Sequence, residues 1–476
     1  MTTDLHGNTL STSDVTATQA VNAFVSGFLG YTPQILQVLP AAERHPEHGL
    51  LNTLAAAVCL FAESPAAPAQ AAPYLAAAAR AVTHGSGATE RERGWLAHVQ
   101  AWADDDIDLA QRIADELLTA NPRDLAMLKL HQYHSFNRGE CAAMLRAARR
   151  SMPVAREVPE VHGMLAFALE QCHHLEAAES AAREALAMTR QEPWAQHALA
   201  HVLLTQGRLA EGRDFLRQHS DTWRGLVSFI ETHNHWHLAL FELALGETAA
   251  ALARYDEQVW AHDHSYSQDQ VGAVSLLARI ELAGGEVGHR WQALAPWLQA
   301  RANDATLPFL SVQYAYGLLR AAAVHADAAS AEAAKALLVA ASARAHQEHT
   351  LPPPRRVWER VAVPLIQGMF QYTQGDAMGA VSTWAPLQGQ LLSLGGSHAQ
   401  RDLFAQLYID ALLQAGEWNT AQQWLELRRV QDPDGIPLQR LLGRTYDALG
   451  LPREAAMARA RAQAPTGHAG TDAGRG

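Results

Sequence analysis

Histidine gives the first chemical signal in this chain. Two pairs stand four residues apart, His197 with His201 and His233 with His237. On a helix that spacing puts both rings of a pair on one face, so two neighbouring helices can bring four imidazoles together. Imidazole nitrogen ligates divalent ions such as zinc and iron, and three imidazoles leave a coordination position open for water, which suits hydrolysis or oxidation chemistry. Without a metal the same rings can act as acid–base groups, with His197 and His237 the candidates, or can satisfy hydrogen bonds between helices. All three readings stand at this point. HExxH, GxxxxGK[ST], GxSxG and a GxGxxG after a strand are all absent, which argues against zincin, P-loop, serine-hydrolase and dinucleotide-fold chemistry.

The elements that must carry these rings are helices. Alanine and leucine dominate, β-branched runs are scarce, and apolar residues recur every three or four positions, which is the helical period. Glycines punctuate the pattern at Gly139, Gly207, Gly246, Gly375, Gly416 and Gly450, with a degenerate turn at His173; positions 139, 173 and 207 lie 34 apart, as do 416 and 450. A helix–turn–helix unit with that period is the tetratricopeptide pattern. Such units bury their apolar faces only by stacking, so the expected fold is all-α, an α-solenoid of antiparallel helix pairs curled around a concave pocket.

In this pattern the residues ten and six positions before a turn glycine face the concave groove. Counting back from Gly207 reaches His197 and His201, and counting ten from Gly139 reaches Lys129. His162, His219, Trp223, Asn234 and Trp236 join these as candidate ligand contacts, along with His398, Arg401 and Asp402 of the GGSHAQRD segment if the solenoid curls. Each has an ordinary alternative: a solvated lysine, a packed tryptophan, a helix N-terminus with an internal Arg–Asp pair.

Composition narrows the function class. The 476 residues carry 37 basic and 49 acidic side chains, a net charge of −12, and only two of the basic groups are lysines, Lys129 and Lys335. No basic stripe appears, so no nucleic-acid partner is expected. Cys59, Cys141 and Cys172 form no CxxC motif or disulfide framework, which fits a reduced, cytoplasmic protein. The apolar run Leu54–Ala62 falls well short of the ~20 residues that span a bilayer, so no membrane role is expected. The expected division is an unordered 1–10, an N-terminal helical region 11–120, repeats with the His-rich groove over 121–350, C-terminal repeats over 351–464 and an unordered tail 465–476. Ser64–Pro73 reads as a loop and Pro352–Pro354 as a boundary.

From Val161 onward the chain resembles the tetratricopeptide repeat protein 38 family. The resemblance rests on VHGMLAFALE (Val161–Glu170), PWAQHALAHV (Pro193–Val202), QHSDTW (Gln218–Trp223), HNHWHLAL (His233–Leu240), GHRWQ (Gly288–Gln292) and LGGSHAQRDLF (Leu394–Phe404), in order over some 250 residues. It implies a tetratricopeptide-like solenoid and no settled reaction. The reading that leads is a helical-repeat binding protein whose His- and Trp-lined pocket takes a small molecule or peptide. The alternative is an enzyme in that pocket, metal-dependent through zinc or iron or metal-free through histidine.

Overall fold

The computed structural model describes residues 2–84 and 87–463. Among them are 24 α-helices and one two-stranded ribbon. From Gly49 onward the helices run as antiparallel pairs, beginning with Gly49–Leu60 and Ala67–His84 and ending with Ile436–Ala448 and Pro452–Gln463. The all-α helical-repeat architecture expected from the sequence is the observed one.

One backbone device recurs in every pair. The turn between its two helices holds a residue with positive φ: Glu63, Asp105, Gly139, His173, Gly207, Gly246, Gly284, Ala326, Gly375, Gly416 and Gly450 in chain order. The left-handed conformation ends the first helix and reverses the chain, and glycine adopts it without steric cost. Four of the eleven positions are filled by other residues, each carrying a strain of about 1–3 kcal/mol.

The array closes on itself. The Gly139 turn lies against the carbonyl of Leu392, and Gly395 lies against Asn137; a Cβ at either glycine would collide with backbone. Further along, the Gly207 turn meets Gln431 and Pro433, and the Gly246 turn meets Ile436. Turns of the central repeats therefore seat directly on C-terminal segments. Ion pairs add to the closure, with Arg355 bridging to Asp108 and Glu140 at 2.9 and 2.6 Å. At the other end, the residue that caps the helix Val15–Gly30 is tied to the central repeats, where Val227 N–H donates to the Tyr31 carbonyl at 2.8 Å.

Several expectations need correction. From Thr2 the N-terminal segment is ordered: Thr2–Thr3 pairs with Thr9–Leu10, Leu10 is fully buried, and Asp4 joins Arg91 at 3.2 Å while Arg91 binds Asp124 at 2.6 Å. A buried guanidinium needs its carboxylates, and that need draws the N-terminus in. Ser64–Pro73 is not a loop throughout, because the helix Ala67–His84 runs through Pro73; its alanines carry the helix past the missing N–H. Pro353–Arg355 forms a single 3-10 turn, and one apolar core extends from Trp236 to Ala458 across it, so residue 350 marks a connector rather than a break in the core. The expected tail 465–476 lies outside the described residues.

Two outcomes follow from this packing. Gly139→Ala combines a left-handed φ with a collision against Leu392 and should destabilise the chain by more than about 1 kcal/mol in urea unfolding. His98 is fully buried, with Nδ1 on the Ala110 carbonyl and Nε2 unpaired, and burial lowers its pKa to about 4. The unfolded ring titrates near 6.5, so the unfolded state takes up the proton first as pH falls. Stability should be complete above about pH 6.5 and decline toward pH 4 by up to roughly 3 kcal/mol. His98→Leu should flatten that part of the profile.

Candidate metal centre and ligand cavity

Four helices meet at the centre of the closed array. Pro193–Thr205 carries His197 and His201, Ser228–Ala244 carries His233 and His237, Pro159–Gln171 contributes Glu170, and His398–Gln414 begins with His398. The count from Gly207 holds for the first pair. In the next repeat the histidines stand 13 and 9 residues before Gly246 rather than ten and six, one helical step displaced. The Ser228–Ala244 helix has 17 residues where Pro193–Thr205 has 13, and the extra turn carries its histidines onto the neighbouring pair.

His197, His201 and His237 are at most 1% exposed, and a nitrogen of each lies within 4.8 Å of a nitrogen of the others. His197 Nε2 is 3.1 Å from His233 Nε2. His201 Nδ1 is 3.4 Å from His398 Nε2 and 3.6 Å from Glu170 Oε2. Glu170 and His398 are hydrogen-bonded, and the Gln171 amide donates to Glu170 at 2.6 Å. The unmet valences are as informative. His197 Nδ1, His201 Nε2 and both nitrogens of His237 have no partner. Buried polar atoms are nearly always satisfied, so four orphan ring nitrogens in one cluster mark a place for something that accepts lone pairs.

Electrostatics point the same way. Burial holds His197, His201 and His237 well below the usual imidazole range and takes His233 to about 3. Mutual repulsion adds to the effect for the three, so neutral imidazoles present their lone pairs. Burial raises the Glu170 carboxyl, but His398 and His201 outweigh it and bring the group down to about 2. The fully buried carboxylate is thus ionised, and among the described residues no lysine or arginine lies within ion-pair range of it.

Aromatic rings fix the cluster. His197 stacks on Trp194 with centroids 4.3 Å apart, and His233 lies between Trp236 and Phe229, 5.3 Å from each. On one side opens a cavity of about 570 Å³ whose wall includes His197, His233, Trp194, Phe167, Phe229 and Phe28. That volume suits a small molecule, and a mostly apolar wall with a few convergent polar groups is the usual composition of a ligand site. Lys129 also reaches it. Its ammonium donates to the Phe28 carbonyl and, at 3.1 Å, to that of Leu29, while Nζ sits 3.3 Å from the Tyr31 ring centre. Two carbonyls of a helix end and an aromatic face employ this cation locally, and burial lowers its pKa well below the ordinary value. Glu63 and Tyr133 line the same cavity, with the tyrosine donating to the carboxylate at 2.8 Å.

A second cavity, about 690 Å³, lies beyond His398 and is lined by Thr205, Arg279, Arg401, Asp402 and Arg428. Arg401 donates to the carbonyls of Gly395 and Gly396 and does not pair with Asp402; Asp402 pairs instead with Arg428 and accepts from Gln406 at 2.7 Å. The remaining sequence candidates fall elsewhere. His162 binds the Arg156 carbonyl at 2.8 Å, His219 that of Phe215 at 2.8 Å, and Trp223 Nε1 donates to Gln196 at 2.5 Å. Asn234 donates to the Pro193 carbonyl at 3.4 Å, at the start of the helix that carries His197 and His201. These four hold helices and connections together and line neither cavity. Trp236 reaches the cluster as the plate against His233 and edge-on to His237, with centroids 4.8 Å apart.

Glu170 and Thr205 are the contributors that pattern reasoning passed over. Glu170 is the last residue of the VHGMLAFALE block, three positions before the degenerate turn at His173, where an acidic residue reads as a solvated helix end.

No family model matches the chain. Among solved structures, a human IFIT1 dimer with m7Gppp-AAAA is 13% identical, covering 95% of this chain and 90% of that one with a TM-score of 0.38. The TPR domain of P58(IPK) is 10% identical, covering 79% of this chain and 93% of that one with a TM-score of 0.21. At these values the likeness says nothing about ligand or chemistry. Among the described residues no helix is long and apolar enough to cross a membrane.

Lys129→Met removes the donor of two helix-end carbonyls and should cost about 1–3 kcal/mol in urea unfolding. A variant as stable as the parent would assign the amine to a ligand instead of the helix end.

Proposed function

We propose that this chain is a metal-dependent enzyme acting on a small, mostly apolar molecule, with the ion held by His197, His201 and His237 behind the 570 Å³ cavity, whose wall the His197 ring joins. The observation that carries this reading is His237, fully buried with neither ring nitrogen paired, beside two further rings with one orphan nitrogen each. A core histidine placed for packing ordinarily meets a carbonyl or hydroxyl on at least one side, as His98 does with Ala110. Three neutral imidazoles leave the full charge of a divalent ion available, and such an ion acidifies bound water and polarises a carbonyl group.

The protein's own residues divide the remaining work. Trp194 and Phe167 pack against His197 and hold its ring angle. Phe229 and the aromatic walls exclude water around an apolar substrate. His233, in the cavity wall and 3.1 Å from His197, is placed to pass a proton. Zinc suits hydrolysis with this donor set, and iron suits oxidation. A metal-free binding protein is the second reading; the cavity alone supports it, and the orphan nitrogens weigh against it. The ordered blocks from Val161 to Phe404 support placing the chain with the tetratricopeptide repeat protein 38 family.

Elemental mass spectrometry on untagged protein should find near-stoichiometric zinc, iron, manganese or copper, and His197→Ala and His237→Ala should each lose it while staying folded by circular dichroism. Folded wild-type protein that is metal-free and takes up none when metals are added would sink the enzyme reading and leave a groove-binding module.

A further inference from the structure

His201 faces two sets of donors. Its Nδ1 edge meets His398 Nε2 at 3.4 Å and Glu170 Oε2 at 3.6 Å. Its Nε2 has no partner, and its ring centre lies 4.6 Å from that of His197 and 4.5 Å from that of His237. Two groups of three can therefore close around a cation, His197–His201–His237 and Glu170–His201–His398, with His201 common to both. Bonds of about 2.0–2.1 Å in tetrahedral geometry separate neighbouring ligand atoms by about 3.4 Å, close to the separation of His201 Nδ1 from His398 and from Glu170; the Glu170–His398 hydrogen bond would open and release its proton as both groups turn to the ion.

We infer that the centre holds two metal ions, the second bound by Glu170, His201 and His398 and joined to the first through the His201 ring. This rests on the proposed metal site at His197, His201 and His237 and extends it. A neutral imidazole has one nitrogen lone pair in the ring plane and one N–H. Ligating an ion from each nitrogen requires the N–H proton to leave for solvent, and the ring then bridges as an imidazolate. The Glu170 carboxylate, fully buried and with no lysine or arginine within ion-pair range among the described residues, would offset part of the charge of the second ion.

The supporting shell is built for this arrangement. Gly395 and Gly396 both take positive φ, and Ser397 caps the following helix in a reciprocal pair with Gln400, so His398 is its first residue. Thr205 Oγ1 stands 3.5 Å from His398 Nε2 and 3.4 Å from Glu170 Oε1. The two ions would also face different cavities. The first borders the 570 Å³ cavity through His197, and the second borders the 690 Å³ cavity through His398.

The test uses full-length protein stripped with chelator, reloaded with zinc or with copper(II), and desalted. Wild type should retain two zinc ions per chain, and His398→Ala and Glu170→Gln should each retain one. Two copper(II) ions joined by an imidazolate couple their spins, so wild type should show far less paramagnetic resonance intensity than two isolated ions, and His398→Ala should recover one full spin. One zinc in wild type, whether or not His398→Ala removes it, would overturn the second ion and leave a single-metal centre. Two zinc ions in both variants would place the second ion elsewhere and overturn it as well. No zinc in wild type would bring down the metal reading of the proposed function itself.

Discussion

The structure depends on the contact between its middle and its end. Repeat stacks gain their stability between neighbours and have no intrinsic need to close. Here the turns at Gly139, Gly207 and Gly246 each seat against a C-terminal segment, at Leu392, Pro433 and Ile436. That closure turns a concave groove into an interior. It brings His398 to within 3.4 Å of His201, residues almost two hundred positions apart in sequence, and it buries rings that an open solenoid would leave in water.

Burial then sets the chemistry. An imidazole in water is half protonated near pH 6.5, whereas the rings gathered here stay neutral far below that, His233 down to about 3. Aromatic walls from Trp194, Phe229 and Trp236 supply the low-dielectric surroundings and also hold the ring planes. One ionised carboxylate, Glu170, sits among these neutral donors. The same packing that stabilises the repeats thus prepares a set of lone pairs with little to bind inside the protein.

Much of this was legible in the chain, and what was hidden has definable causes. The repeat spacing showed in glycines, because a left-handed turn residue is most often glycine. Where the turn uses Glu63, Asp105 or Ala326 instead, the punctuation vanishes from the sequence, and with it the N-terminal pairs and the break after Pro308–His325. His197 and His201 were placed by counting back from Gly207. The second pair needed the extra turn of Ser228–Ala244, which no local count reveals. His162, His219, Trp223 and Asn234 stood near the cluster in sequence, but each has a polar atom bonded elsewhere, to Arg156, Phe215, Gln196 and Pro193 respectively. Glu170 needed the closure itself to become visible, since its partner lies on the far side of the fold.

Ring closure also bears on how such a protein can change over generations. An open stack accepts the insertion or loss of a unit, because each neighbour interface is renewed on either side of the change. Here the register is fixed from outside the stack, since Gly139 must meet Leu392 while Gly207 meets Pro433 and Gly246 meets Ile436. Adding or removing one helix pair between them would shift every later turn past its seat and part His398 from His201. The number of units is therefore set by the circumference of the ring, and variation is confined to substitutions and to the lengths of outward-facing connections.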